Sequence, residues 1–361
     1  MEKALNIVYY VSGHGYGHAT RSVALLRALA RPGIALHVRT QAPHWLFTEE
    51  CPEVRCSSAE IDVGMAQVNS LDIDVPATLA AHEAFCAGFE SATQREAAFL
   101  RDVGASLVLS DVPALACAAA HAAGVPSAAV SNFSWDWILE PYAASEPRFA
   151  PVAERYRAAY ALTDTLYRLP LGGELTAFPK AVDAPLVVRK SPLGREEARR
   201  RIGLERERRP VVLLSFGGFG PGGLMPRAGE DLSDFMFIAF GPKPDGLKAA
   251  WMELPQHSTR SLLTLISAAD ALISKPGYGA ASESLAHRTR FLYLPRQGFR
   301  EVSHIVDGLR RWGVCAPISR EDFSGGRWRG HLEALLAAPA SWADLRLDGA
   351  EHIARSVLSP P

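Results

Sequence analysis

The chain has 361 residues, enough for about two domains, and its 48% apolar and 21% charged residues are those of an ordinary globular protein. A net charge of −1 supplies no basic excess for nucleic acid, and no apolar run approaches the roughly 20 residues that cross a bilayer. Five scattered cysteines (Cys51, Cys56, Cys86, Cys117, Cys315) show no CxxC spacing and no His/Cys cluster, and strand-like sequence begins within six residues of the N-terminus, so a cytoplasmic protein with reduced thiols, no leader and no structural metal is expected.

The apolar run at 6–11 predicts a buried parallel strand. It runs into Gly13-His14-Gly15-Tyr16-Gly17-His18-Ala19-Thr20-Arg21, a glycine-rich turn opening a helix at 20–30, where Val23, Leu26 and Ala30 share a face with Leu25 and Leu29 beside it. A strand at 34–40, a helix near 80–101, a strand at 106–110, an Ala-rich helix at 112–123 and a strand at 127–131 follow. Residues 132–179 are aromatic and proline-punctuated, with Phe133, Trp135, Trp137, Tyr142 and Phe149 ahead of a helix near 152–167. A Pro- and Gly-rich stretch at 169–189 reads as an inter-domain connection. The pattern then restarts. A strand at 211–215 ends in Phe216-Gly217-Gly218-Phe219-Gly220, followed by strands at 236–240 and 271–274, a helix at 279–286, a strand at 290–294, a helix at 302–312 and a short helix at 349–358. The alternation predicts an α/β protein with two Rossmann-like domains, 1–180 and 186–345, and a C-terminal helix in 346–361 that packs back on the first domain.

Three loops are built for anions. In the first, glycines let backbone amides approach a ligand, a helix N-terminus favours negative charge, and two imidazoles add proton-transfer chemistry near neutral pH. It fits a dinucleotide fingerprint poorly. The third glycine of that fingerprint would fall at His18, and the second strand ends at Arg39-Thr40 with no carboxylate for a ribose, although Arg39 leaves the extra phosphate of NADP in play. None of the loops carries a Gly-Lys-Ser/Thr ending, so no P-loop is expected. In the second half, Gly217 and Gly218 follow a strand and offer amides to phosphate. There too, Ser274-Lys275-Pro276-Gly277-Tyr278-Gly279-Ala280-Ala281-Ser282-Glu283 combines a glycine turn, a helix start and a carboxylate placed for a sugar hydroxyl. This set suits a nucleoside diphosphate.

With these motifs in view, the chain resembles the GT-B glycosyltransferases, in particular the MurG-like and UDP-glycosyltransferase group, and the glycosyltransferase-like half of plant L-arabinokinases. The resemblance is carried by residues 9–21, Ser110-Asp111-Val112, Ser131-Asn132-Phe133-Ser134-Trp135-Asp136, Ala184-Pro185-Leu186-Val187-Val188-Arg189 and Gly277-Tyr278-Gly279, and it covers nearly the whole chain. The sugar-kinase module of arabinokinases is missing, so arabinose phosphorylation is not implied.

The resemblance implies a nucleotide-sugar donor, with UDP the first candidate, no other cofactor, no bound metal, and an acceptor bearing a hydroxyl. It gives Gly217 and Gly218 to the diphosphate with Gly277 and Gly279, Glu283 to the ribose, and Ser258 and Thr259 to the base. It gives Arg300, Glu301 and His304 to the donor sugar, where related enzymes often place Asp-Gln or Gln-Gln, and Lys275 or Arg300 to the leaving diphosphate. Gly15 and Gly17 give donor and acceptor room to meet. His18 matches the histidine that serves as general base in many UDP-glycosyltransferases, with His14 the second candidate. From the residues themselves, Asp111 ends a strand and can orient an imidazole or cap a helix, Asp136 is an acceptor-side carboxylate, and Arg189 reads as a phosphate contact or a surface ion pair. Asp72-Ile73-Asp74 resembles a metal-binding DxD but sits in an irregular segment. Two alternatives stay open: a nucleotide-sugar epimerase of the same fold and a non-catalytic nucleotide or sugar sensor.

Overall fold

The structure is a computed structural model that describes residues 5–217, 225–226, 229–255, 259–339 and 342–359, the side chains of 259–261 excepted. The first sheet contains β1 (Leu5–Val11), β2 (Ile34–Thr40), β3 (Arg55–Ser58), β4 (Leu107–Asp111), β5 (Ser127–Ser131), β6 (Thr165–Arg168) and β7 (Ala181–Asp183), all parallel, in the order β3-β2-β1-β4-β5-β6-β7. Its helices are α1 (Tyr16–Leu29), α2 (Trp45–Thr48), α3 (Val75–Ala87), α4 (Phe89–Asp102), α5 (Ala114–Ala123), α6 (Trp135–Leu139) and α7 (Phe149–Tyr160). After α8 (Arg195–Arg201) come β8 (Val211–Leu214), β9 (Asp231–Phe240), β10 (Lys248–Leu254), α9 (Thr259–Ala268), β11 (Ala271–Ser274), α10 (Tyr278–His287), β12 (Arg290–Tyr293), α11 (Glu301–Trp312) and β13 (Cys315–Pro317). These strands form a second parallel sheet in the order β10-β9-β8-β11-β12-β13, and α12 (Arg320–Ser324), α13 (Arg329–Ala337) and α14 (Gly349–Leu358) close the chain.

Strand periodicity explains how the two sheets share a core. On β1, Ile7, Tyr9 and Val11 point into one apolar cluster, and Val8 and Tyr10 into another on the opposite face. On β8, Val211 and Leu213 enter the same first cluster, while Val212 and Leu214 belong to a third. The cluster common to both sheets also takes in Leu25 and Leu26 of α1, Leu285 of α10, and Ile353 and Ala354 of α14. The helix α14 thus packs against α1.

Two of the expected helices differ in the structure. The helix near 80–101 is two helices, α3 and α4, meeting at Gly88. The helix near 152–167 stops at Tyr160, where the Thr163 amide donates back to the Tyr160 carbonyl, and β6 begins at Thr165. Pairing to β5 and β7 outweighs the apparent helical periodicity of 161–167.

In each sheet the chain reverses its direction of strand addition once, between β1 and β4 and between β8 and β11. Open parallel sheets leave a crevice at the carboxyl ends of the strands at such a point. Here the loop after β1 and the loops after β8 and β11 face one another across one cavity of about 720 Å³, a size suited to a small organic ligand.

Candidate active site

The N-termini of two helices converge on this cavity. Gly15 caps α1 with a positive φ of 87°, a conformation that glycine adopts without a Cβ penalty. Gly277 caps α10. The two first turns meet: a Cβ on Gly279 would lie 3.5 Å from the Gly17 Cα and from the Thr20 Oγ1, in ordinary van der Waals contact. Their unsatisfied N–H groups and dipoles favour an anion there.

Beside them His18 lies in the cavity wall with its side chain 12% exposed. Its Nδ1 is 2.8 Å from Asp111 Oδ1 and 3.2 Å from Arg21 Nη2. A guanidinium can only donate, so the two contacts ask opposite roles of Nδ1. The shorter one, to a carboxylate, assigns the proton to Nδ1 and leaves Nε2 as the ring's proton acceptor. The Phe133 ring packs edge-on against the imidazole, 5.5 Å between centroids.

Asp111 is fully buried and heavily held. Arg21 Nε and Nη2 donate to its two oxygens at 2.6 and 2.5 Å, and Ser22 Oγ donates at 2.9 Å. Burial alone would raise its carboxyl, but the Arg21 charge and hydrogen bonds, with His18, hold it down to about 2. Arg21 also donates to Asn132 Oδ1 at 2.5 Å and lies over the Tyr278 ring at 4.8 Å, and Asn132 Nδ2 donates to Glu301 at 3.1 Å. One network therefore runs from His18 in α1 through Asp111 of β4 and Asn132, just past β5, to α10 and α11 of the second domain.

The sequence-derived candidates separate into groups. His14, Gly15, Gly17, His18, Gly217, Lys275, Gly277, Gly279, Glu283 and Glu301 line the cavity. His14 stands apart from the His18 pair: its ring lies where a Cβ on Gly64 would be 2.3 Å away, and its Nε2 faces the Asp62 carbonyl at 3.4 Å. Asp62 is buried and also accepts from Trp135 Nε1 at 3.2 Å. Lys275 is pushed down to about 8 by burial, with nearby Arg296 adding repulsion and Glu301 opposing it. Gly218 and Ser258 lie outside the described residues, as does the side chain of Thr259, which opens α9.

Three of the candidates do not line the cavity. Arg300 does not line the cavity; its Nη1 donates to the Trp137 carbonyl at 2.9 Å and to Glu140 Oε2 at 2.8 Å, and its guanidinium lies over the Trp137 ring. His304 packs on the same tryptophan, 5.3 Å between centroids. Both side chains contact the first domain through Trp137. Asp136 is buried behind the wall, 3.6 Å from Arg157 Nε, with burial raising its carboxyl. Other readings are redirected too. Arg189 is not at the surface; it lines the cavity and is buried between Glu283 Oε1, which it reaches with Nε and Nη2 at 3.2 and 2.7 Å, and Glu50 Oε1 at 2.8 Å. Arg39 is paired with Glu96 at 2.5 Å and does not line the cavity. Asp72 pairs with Arg320 of the second domain at 2.6 Å and Asp74 caps α3, so both DxD carboxylates have structural partners.

Sequence reasoning missed Arg21, Asn132, Asp62, Glu50 and Arg296. Arg21 carried a usable signal, since it follows His18 by three positions on a helix and must share its face. Asp62 carried none. It lies in the irregular segment between β3 and α3, where Met65 and Gln67 line the cavity and Leu71 is buried in the core of the second sheet.

No family model matches the chain. An L-arabinokinase from Arabidopsis thaliana is 31% identical over 339 residues, 93% of this chain and 32% of that protein, so the chain spans about a third of the length of this relative. Among solved structures, the calicheamicin glycosyltransferase CalG4 superposes with a TM-score of 0.61 at 15% identity, covering 99% of this chain and 95% of that one. A UDP-N-acetylglucosamine 2-epimerase superposes with a TM-score of 0.59 at 13% identity, covering 99% and 96%. These likenesses match the facing parallel sheets and the cleft at their carboxyl ends: the chain has the GT-B fold of the glycosyltransferases.

Proposed function

We propose that the protein transfers a sugar from a nucleoside diphosphate to an acceptor hydroxyl, without a metal. The observation that carries this reading is that the N-termini of α1 and α10 meet at the cavity that His18 also lines, with Asp111 bonded to its other ring nitrogen. The diphosphate would lie at the first turn of α10, with Gly217 and Lys275 beside it. Glu283 would accept from a ribose hydroxyl, since both Arg189 bonds fall on its Oε1. In the reaction, Nε2 of His18 takes the acceptor's proton as that oxygen bonds to the anomeric carbon, and the bond from that carbon to the diphosphate oxygen breaks. The departing charge is met by amide dipoles and the Lys275 ammonium.

Thermal denaturation tests the donor. A nucleoside diphosphate at about 100 times its dissociation constant should add about 2.7 kcal/mol of stability, with NAD and NADP giving no shift. Absence of a shift with every nucleoside diphosphate at millimolar concentration removes the reading. The structural likeness to an epimerase supports a second reading. Nucleotide-sugars incubated without acceptor should stay unchanged under our proposal, and a new isomer in the mixture would favour epimerisation.

The lowered Lys275 adds a pH signature. Its ammonium carries charge below about 8 and loses it above. The wild-type protein should bind nucleoside diphosphate progressively more weakly as pH rises through that value. Calorimetric titration of Lys275→Met should show weaker binding with a flatter profile; an unchanged slope would remove Lys275 from the diphosphate site.

A further inference from the structure

Three arginines are buried among the described residues, and they are not alike. Arg21 and Arg189 each hold carboxylates at 2.5 to 2.8 Å. Arg296 is 9% exposed and makes no ion pair with any described residue. Its one hydrogen bond goes from Nη2 to the neutral amide of Gln67 at 3.4 Å, and its buried Nε has no partner at all. One face of the guanidinium is covered by the Phe299 ring, 3.6 Å to the centroid, which fixes the plane of the fork, and the residue lines the cavity. Lys275 lies in the same wall, close enough for the two charges to repel, and Glu301, the carboxylate that acts on both, is bonded to Asn132. Burying a guanidinium that no ion pair holds is unfavourable unless something neutralises it.

We infer that Arg296 is the binding point for a carboxylate on a sugar, so that the protein acts on a sugar acid. The inference rests on the proposed nucleotide-sugar reading and narrows its substrate. Position separates this anion from the diphosphate. The diphosphate cradle lies at the β8–β11 crevice, whereas Arg296 leaves the end of β12, one strand further along the sheet, and faces Gln67 of the other domain. A ligand whose diphosphate sits at α10 presents its sugar, or the acceptor facing that sugar, at this point. A planar fork with a shielded face and unused N–H donors matches a carboxylate held by two parallel hydrogen bonds.

The test compares matched probes on the wild-type chain and Arg296→Met: UDP and GDP alone, UDP-glucose against UDP-glucuronate, GDP-mannose against GDP-mannuronate, and free glucuronate against glucose with and without UDP. Calorimetry should show an acid bound more tightly than its neutral partner by the wild type, a preference that R296M abolishes with a loss of about 10- to 100-fold for the acid, the range expected for a charged hydrogen-bonded pair. UDP and GDP alone should change little. The empty R296M protein should melt no lower than the wild type, because it loses a buried charge that no ion pair holds. A preference seen with a nucleotide-linked acid places the carboxylate on the donor; one seen only with free glucuronate added over UDP places it on the acceptor. If glucuronate binds through Arg296 and no nucleotide binds, the carboxylate site stands and the donor reading falls. The inference is overturned if no acid is preferred, or if R296M weakens UDP or GDP alone as much as the acids, which would assign Arg296 to the diphosphate.

Discussion

Replacing His18 with alanine should lower the transfer rate about 10²- to 10⁴-fold, the usual contribution of a positioned general base, while leaving nucleotide affinity and melting temperature close to those of the wild type. The side chain touches Asp111, Arg21 and Phe133 at the cavity wall, and the fold does not lean on it. Asp111→Asn should behave differently. It removes the charge that selects the Nδ1–H tautomer, so the rate should again fall by orders of magnitude. It also leaves the buried Arg21 guanidinium without its counter-ion, so stability should fall as well, by about 3–5 kcal/mol. The two variants together separate a proton-accepting role from a packing role: initial rates of nucleoside diphosphate release and denaturant melts should place H18A low in rate alone and D111N low in both. An H18A rate within threefold of the wild type would take the base away from His18 and leave the pair as a structural contact.

Much of this site was legible because its parts are local. The run 6–11, the glycine turn and the helix after it follow from periodicity and glycine spacing over about 25 residues, and the second set of loops follows from the same pattern repeated. His18 and Asp111 stand at the ends of adjacent strand units, so an α/β reading alone brings them near each other. What was not legible is the docking between domains. Arg300 and His304 sit where a donor-sugar contact is expected by resemblance, yet Trp137 and Glu140 of the first domain occupy them. Nothing in the spacing of 300–304 encodes an approach from a segment more than 150 positions earlier. The segment between β3 and α3 is a second case. It has no period to read, and its role depends on Leu71 entering the second core, Asp72 pairing with Arg320 and Gln67 meeting Arg296, all contacts that exist only once both sheets are in place.

The contact most exposed to mutation is the one beneath the proposed ribose site. Arg189 follows the crossover from the first sheet to the second and is buried between Glu50, just beyond α2, and Glu283 in α10. Burial would lower the guanidinium, and the two carboxylates outweigh it and raise it instead. Arg189→Met keeps the volume and removes the cation, leaving Glu283 facing Glu50, which also meets Arg27 at 3.4 Å, in a site 3–5% exposed without the cation the two share. Breaking a buried pair from one side costs about 3–5 kcal/mol, since the remaining charge keeps its desolvation penalty and loses its compensation. Denaturant melts should show a loss of that size, larger than for removal of any surface ion pair, which contributes about 0–1 kcal/mol. A combined R189M/E50Q/E283Q variant, in which no charge is left buried, should recover a large part of the loss. It should still bind nucleoside diphosphate more weakly than the wild type, because the amide at position 283 is a poorer acceptor for a ribose hydroxyl. If R189M alone loses less than about 1 kcal/mol, the triad does not hold the domains together; if the combined variant binds nucleotide as well as the wild type, Glu283 does not hold the ribose.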